Sequence, residues 1–548
     1  MKNGKKTLAI ILSLVMCLML VAACAPADAP TGQGATGGGE AGSPPVTQPP
    51  ALPEPPAPPR EEANLAEHIE IILDNNQIGV LNPMSPASHT PGTNQTFTMI
   101  HDRLLNYNIE SGEFLPALAT TWHTDDYQTF ILTLRDDVYF HNGDHFTAAD
   151  VVFTVNHALD AAGTNVQAQW SPVETVTALD DYTVEFVLRD LNVDFYFNMT
   201  MPMTGMLNER AINEDPDLGA AVGTGAFRLR EFVSNDFVTV ERNDAWWGGV
   251  MPTQSITLRF IPEVAARTIM MQNGEAQICL GIGSEDMRIF TDDPDNFFIT
   301  LQTVNNPQGI SFNMANPITA DPYFRRAVVH GINRAEVAIV AAGDWGLPPG
   351  DDEGTLWGFQ TEFRNNDLPG WAFDQDLARS YLERSSYNGE TVEIAAAVIT
   401  NVRGAEVIQQ NLSRIGINVV INQMDAPSLA AHWAAEDNRS QIVFHGFQFT
   451  LNSASARHNF VPGGAQNRAN YDNAEVTRLL NEAATMTDRD EREATFMRVQ
   501  ELIHDDLVGK NMMWRIFGQV AANGIGGMYF PPDTHWTDFR HVYWDLDA

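Results

Sequence analysis

The sequence predicts an α/β fold, and three observations carry that prediction. Runs that alternate with a period of two, such as Thr129–Leu134, Thr183–Leu188 and Phe237–Arg242, read as strands. Runs with apolar residues three and four apart, such as Val402–Ile415, Val476–Met486 and Arg489–His504, read as helices. The two kinds alternate from near Ile69 to the end of the chain, without an internal repeat of roughly 20–50 residues. Of 548 residues, 44% are hydrophobic and 19% charged, enough to build cores for two or three folded units.

The N-terminal segment reads differently. Lys2, Lys5 and Lys6 precede an apolar run over residues 7–20, and small residues follow. That is the pattern of a secretion signal over residues 1–23, too short for a spanning helix. Val21-Ala22-Ala23-Cys24 resembles a lipobox. It implies cleavage before Cys24, acylation of Cys24, and attachment to the outer face of a bacterial cytoplasmic membrane, at the cell surface or in the periplasm. Two or three acyl chains anchor firmly, because each buried CH₂ contributes about 0.8 kcal/mol. Residues 24–65 then form a tether. Residues 25–60 hold 11 Pro and 6 Gly and no aromatic, a composition that cannot bury surface.

Charge removes one class of function. The chain has 70 Asp plus Glu against 32 Lys plus Arg, a net charge of −38, and loss of three signal lysines takes it to −41. Nucleic-acid binding needs a basic face to displace counterions, and no excess of base exists to form one. The acidic coat reads as a solvated surface, consistent with a monomer. With Cys17 removed and Cys24 acylated, Cys279 has no disulfide partner. It lies in the apolar run Ala276–Leu280 and reads as a buried small residue rather than a nucleophile.

Local chemistry marks the boundaries of several elements. His141-Asn142-Gly143-Asp144 reads as a tight turn, with Gly143 at positive φ. Thr147 and Asp150 form a capping-box-like pair for a helix from Ala148. Gly223-Thr224-Gly225 allows a close turn before a strand. Asp321-Pro322 starts a helix that runs through Ala327–Ile332, Gly416 ends the Val402–Ile415 helix, and Asn418–Asn422 follows as a strand. His141 and His145 are four apart, but the turn between them spoils helical registration, so no metal site is expected.

Four blocks then point to a family. The first runs from Leu115-Pro116-Ala117-Leu118-Ala119 through Trp122 and Leu134–Asp144 to Thr147–Phe153. The second is Gly223–Leu229 with Arg242-Asn243-Asp244 and Trp246-Trp247-Gly248. The third is Phe312-Asn313, Asp321–Ala327 and Gly331-Ile332-Asn333-Arg334. The fourth is Ala405–Leu412 with Ile415-Gly416-Ile417. In this order they resemble the family 5 extracellular solute-binding proteins, the dipeptide, oligopeptide and nickel type that feed ATP-driven importers. The resemblance implies a two-lobed, type II (cluster C) periplasmic-binding-protein-like fold with a hinge and an extra subdomain. Lobe I would comprise residues 66–108, 222–302 and 514–548, with 109–221 inserted, and lobe II residues 303–513. The chain would cross between lobes near 302 and near 513, and closure would trap solute between them.

The same resemblance nominates contact residues. Ser88–Asn94 follows the first strand and brings Thr93 and Asn94. The stretch Gly446–Asn452 brings Phe447, Gln448, Thr450 and Asn452, and Asp425 lies nearby. Peptide-binding members hold the peptide's amino group with an Asp, and Thr450 stands at that place, so a neutral polar solute is expected. Phe447 and Phe449 offer flat faces and Gln448 and Asn452 offer amides, which suit an oligosaccharide or a peptide-like solute. Trp357 and Trp345, in Pro/Gly-rich loops of the second lobe, are candidate cleft walls, and Arg403, near a helix start, is a candidate to bind a solute carboxylate. Each of these residues has a plain structural alternative: Phe447 in the core, Asp425 as a solvated strand end, Trp357 and Trp345 as loop anchors, and Arg403 paired with a neighbouring Glu. No Gly-x-Ser-x-Gly, His-Glu-x-x-His or phosphate loop is present, so no enzyme and no cofactor is expected. The expected partners are a small solute and the permease and ATPase subunits of an importer. A solute-sensing receptor is the alternative, and a surface hydrolase a remote one.

Overall fold

The computed structural model describes residues 64–548, apart from residues 75–77, 86–87, 89, 109–110, 284–285, 304, 351, 398, 435–439, 465 and 529–536. The signal, Cys24 and the tether up to residue 63 lie outside the described residues.

A mixed sheet of twelve strands organises the chain. Its order is Asn418–Gln423, Thr391–Ala396, Ile442–Gly446, Gln308–Phe312, Gly509–Ala522, Ile278–Leu280, His68–Leu73, Ser255–Phe260, Phe237–Arg242 and Phe227–Val233. Phe297–Thr303 and Gly346–Leu347 also pair with Gly509–Ala522. That long strand, the crossing strand below, joins two groups of parallel strands. His68–Leu73 runs parallel to Ser255–Phe260 and Ile278–Leu280. Thr391–Ala396 runs parallel to Asn418–Gln423 and Ile442–Gly446. The inner strands are buried on both faces, as in Ile278–Leu280 and the Ile71–Leu73 end of His68–Leu73, whereas the edge strand Asn418–Gln423 is exposed on one face.

A separate four-stranded antiparallel sheet has the order Ala119–His123, Thr129–Leu134, Thr183–Leu188, Val173–Asp180. One face of Thr129–Leu134 is buried, which is why its sequence alternates. The Ala148–Asp160 helix covers that face through Val151 and Val155, and Phe130, Phe186, Trp170 and Phe195 fill the core. The Thr147–Asp150 capping box forms, with the Thr147 amide donating to Asp150 Oδ2 at 2.9 Å. Gly143 takes φ 86° in its turn.

Strand predictions held closely, because alternation and burial agreed. The Arg489–Asp505 helix begins where Asp488 accepts the Glu491 amide at 3.0 Å. The Val402–Ile415 helix instead spans Ile399–Ser413, and the chain turns out at Gly416, φ 93°. Cys279 is fully buried in a central strand, and burial pushes its thiol up to about 12. Gly223 and Gly225 lie against the last turn of the Pro91–Ile100 helix, where a Cβ would overlap the Ile100 and Met99 carbonyl oxygens.

Candidate functional site

Strand directions locate the site. The Ile278–Leu280 strand is antiparallel to the crossing strand, with Leu280 opposite Gln519. Gln308–Phe312 is also antiparallel to it, with Gln308 opposite Met513, and Ile442–Gly446 reverses direction again, with Gly446 opposite Gln308. The carboxyl ends of the two parallel groups therefore point toward each other. Between them lies only the stretch Trp514–Gly518 of the crossing strand, roughly 17 Å of extended chain. In open α/β sheets, ligands bind outside the carboxyl ends of strands, where loops and helix starts converge. Here two such ends converge on one gap.

One rim of the gap follows Ile442–Gly446. Phe447 is 2% exposed, and its ring lies over Gly309 and Gly509, the two positions without a side chain on that face. Phe449 is 2% exposed and packs on Trp357 at 5.0 Å. Trp357 is fully buried, stacks on Phe460 at 5.6 Å and donates its indole N–H to Ser453 Oγ at 3.2 Å. The aromatic faces expected to meet a solute are thus taken by the protein's own core, and they hold the loop from below. Its polar groups face outward: Gln448 and Thr450 are exposed. Thr450 Oγ1 donates to the Asn452 carbonyl at 3.2 Å and accepts its amide at 3.3 Å. Asn452 spends its side-chain oxygen on the Ala454 amide at 2.8 Å. The loop is pinned from two sides: the Phe449 amide donates to Asn306 Oδ1 at 2.9 Å, and Thr361 Oγ1 to the Thr450 carbonyl at 2.8 Å.

Asp425 is exposed and accepts the Ser428 amide at 2.7 Å, which holds its carboxyl below the usual range. It caps the Ala426–Ala434 helix. Arg403 is exposed on the Ile399–Ser413 helix. Among the described residues, no hydrogen bond or ion pair joins either to the Thr450 loop. At the other rim, Thr93 is fully buried in a 2.9 Å hydrogen bond with Thr90 Oγ1, at the start of the Pro91–Ile100 helix. Asn94 sits beside it with its amide oxygen buried.

Sequence reasoning missed the crossing strand and its side chains. Arg515 is half-buried there; desolvation lowers its pKa, and the charge of Asp74, at the end of His68–Leu73, raises it. Asn511 and Gln519 lie on the same strand, Gln95 follows Asn94, Asn401 begins the helix after Thr391–Ala396, and the Gln360 amide donates to Asn305 Oδ1 at 2.8 Å. Each of Asn94, Gln95, Gln360, Asn401, Asn511 and Gln519 has a buried amide atom without a hydrogen-bond partner among the described residues. A buried, unsatisfied amide costs about 1–3 kcal/mol. The only hint in the sequence was the repeated use of Asn and Gln in apolar surroundings. No group of His, Cys, Asp and Glu able to hold a metal occurs among the described residues.

The family model for bacterial extracellular solute-binding proteins, family 5 middle, matches residues 113–490. The chain belongs to this family. Among curated relatives, the nickel-binding periplasmic protein of Escherichia coli is 23% identical over 82% of this chain and 90% of its own. The glutathione-binding protein GsiB of Pectobacterium atrosepticum is 25% identical over 75% of this chain and 82% of its own. Among solved structures, the ABC transporter substrate-binding protein CtaP of Listeria monocytogenes overlays with a TM-score of 0.77 at 20% identity, covering 88% of this chain and all of CtaP. DppA of Helicobacter pylori, in complex with the peptide STSA, overlays at 0.72 with 21% identity, covering 88% of this chain and 98% of its own. The fold is thus the α/β fold of these family 5 proteins. Like them, the chain is a solute-binding protein and not an enzyme.

Proposed function

We propose that this family 5 protein is the solute-capturing component of an ABC importer. It takes a neutral polar solute, an oligosaccharide or an amino-blocked peptide, between two closing lobes. It delivers that solute to a permease driven by an ATPase. The lobes follow the strand groups: residues 66–108, 222–302 and 514–548 with the inserted 109–221, and residues 303–513. Acylated Cys24 and the tether keep the protein at the outer face of the membrane.

One observation carries the ligand class. The loop after Ile442–Gly446 carries a hydroxyl at Thr450, where the family resemblance implies an amine-pairing Asp in peptide-binding members, and Asp425 is engaged as a helix cap. The partnerless buried amides around the gap favour the same class, since each can donate to or accept from a neutral group. An ammonium ion placed beside Thr450 would keep its desolvation cost without a charged partner, which weakens binding by about 3–5 kcal/mol.

Calorimetry with a mixed library of short peptides tests this. Free di- and tripeptides are expected to bind weakly or not at all, and Thr450→Asp to create some affinity. Micromolar binding to the wild type that acetylation of the peptide amine abolishes would show that another acid reads the amine. Loss of that binding in Asp425→Asn would identify it.

A further inference from the structure

The inserted residues 109–221 meet the Arg489–Asp505 helix at a largely buried ion pair. Arg492, on the Arg489–Asp505 helix, donates through Nη2 to both carboxylate oxygens of Asp194, each at 2.6 Å. The two side chains are only 11% and 13% exposed. Arg492 Nε also donates to the Ala483 carbonyl at 3.1 Å, the last residue of the Ala474–Ala483 helix, where a cation is favoured. Beside these groups, the Val193 amide donates to the Ala484 carbonyl at 3.4 Å. A third partner is Glu362, 3.6 Å from Arg492 Nη1 and 3.9 Å from Arg489.

Glu362 ties this cluster to the candidate solute loop. Its amide donates to the Leu451 carbonyl at 2.8 Å, and its carbonyl accepts the Ser453 hydroxyl. Its neighbour Thr361 holds the Thr450 carbonyl. One short segment therefore touches the cluster with its side chain and the loop with its backbone. A largely buried ion pair also suits a contact that forms and breaks: separated, both charges recover their hydration, which a separated apolar contact cannot do.

We propose that Arg492 is a closure latch. Its guanidinium bridges Asp194 and Glu362 when the lobes shut, and so couples closure to the position of the Thr450 loop. The latch rests on the reading of the two strand groups as closing lobes. Arg492 is a positioning residue: it does not touch solute. Asp194 lies next to the short Phe195–Asn198 helix, whose Phe195 is buried in the core of the inserted unit, so the pair grips a rigid part.

The test uses the full chain with Cys17→Ser and Cys24→Ser, and spin labels on Leu218→Cys and Arg478→Cys. Those side chains are 52% and 55% exposed, one on the inserted unit and one on the Ala474–Ala483 helix. Cys279 is buried and does not compete for label. Double electron-electron resonance then reads the interlobe distance. Asp194→Asn and Arg492→Gln are each expected to raise the open-to-closed ratio by at least roughly tenfold. Arg492→Lys, which keeps the charge but loses the planar fork, should fall between them and the wild type. Urea midpoints should barely move in Asp194→Asn, which leaves the Arg492 contacts to Ala483 and Glu362 in place. Unchanged distances with clearly lowered urea midpoints would make the pair structural cement and overturn the latch. Failure of closure itself looks different: wild type and variants would share one narrow distance that neither concentrated NaCl nor a dialysable extract of the host cells alters, and the latch would fall with it.

Discussion

Asp102 shows how much a single residue does in this fold. It is fully buried and accepts the indole N–H groups of Trp246 at 3.0 Å and Trp247 at 2.7 Å. Thr224 donates to the same oxygen at 3.2 Å, and Arg540 stands 4.0 Å from the other. Burial raises its pKa, and Arg540 and the three donors oppose that shift. This is the physical content of the Trp246-Trp247 block: both rings converge on one carboxylate. Asp102→Ala leaves those donors and a buried cation without it, so a loss of roughly 3–5 kcal/mol is expected. Urea unfolding with an unchanged m-value checks this, with Asp125→Ala as control. Asp125 is 87% exposed and should stay within about 0.5 kcal/mol of wild type. The Trp pair was legible in the sequence, but its partner was not, because Asp102 lies more than a hundred residues away.

Several elements close by burying a neutral imidazole. His101 ends the Pro91–Ile100 helix and His141 opens the Gly143 turn; burial lowers both to about 4. His445, in the Ile442–Gly446 strand, shares a 2.7 Å hydrogen bond with Ser311 Oγ and is lowered to about 3. His330, His458 and His541 shift the same way by burial. Unfolding frees these rings to take up protons at their ordinary pKa of about 6.5, while the folded chain binds fewer. Their stability is fully present above pH about 6.5 and is lost as pH falls toward their folded values. Each of His101, His141 and His445 contributes up to roughly 3 kcal/mol to that loss. Urea midpoints should therefore fall steeply between pH 6.5 and about 4.5, and His445→Gln should flatten the slope by close to one proton. An equally steep slope in that variant would show that His445 is not held neutral.

At the scale of the whole molecule, the acidic composition bears on the proposed attachment to a membrane. The proposed loss of residues 1–23 would leave a net charge of −41, which repels an anionic membrane surface, so the proposed attachment rests on a lipid and not on charge. Cys24→Ser is expected to release the protein into the medium or periplasm, or to leave the signal uncut. Mass spectrometry of the wild type should find acyl chains on an N-terminal Cys24. A mature wild-type mass without fatty acid would refute the anchor.

The sequence by itself determined the fold class, most strands and helix starts, and the family. Those features are written in neighbouring residues: the alternation of Thr129–Leu134, the Thr147–Asp150 cap, Gly143 and Gly416 at positive φ. Tertiary structure alone decided which face each side chain shows. Phe447 and Trp357 are buried because Gly309, Gly509 and Phe460, distant in sequence, leave room for them or stack on them. Asp425 became a cap because a helix begins beside it. The crossing strand stayed hidden because its fourteen residues are largely apolar and take partners from roughly 170 to 240 residues away. Period and capping act over a few residues, whereas a gap between strand ends exists only after distant strands have paired.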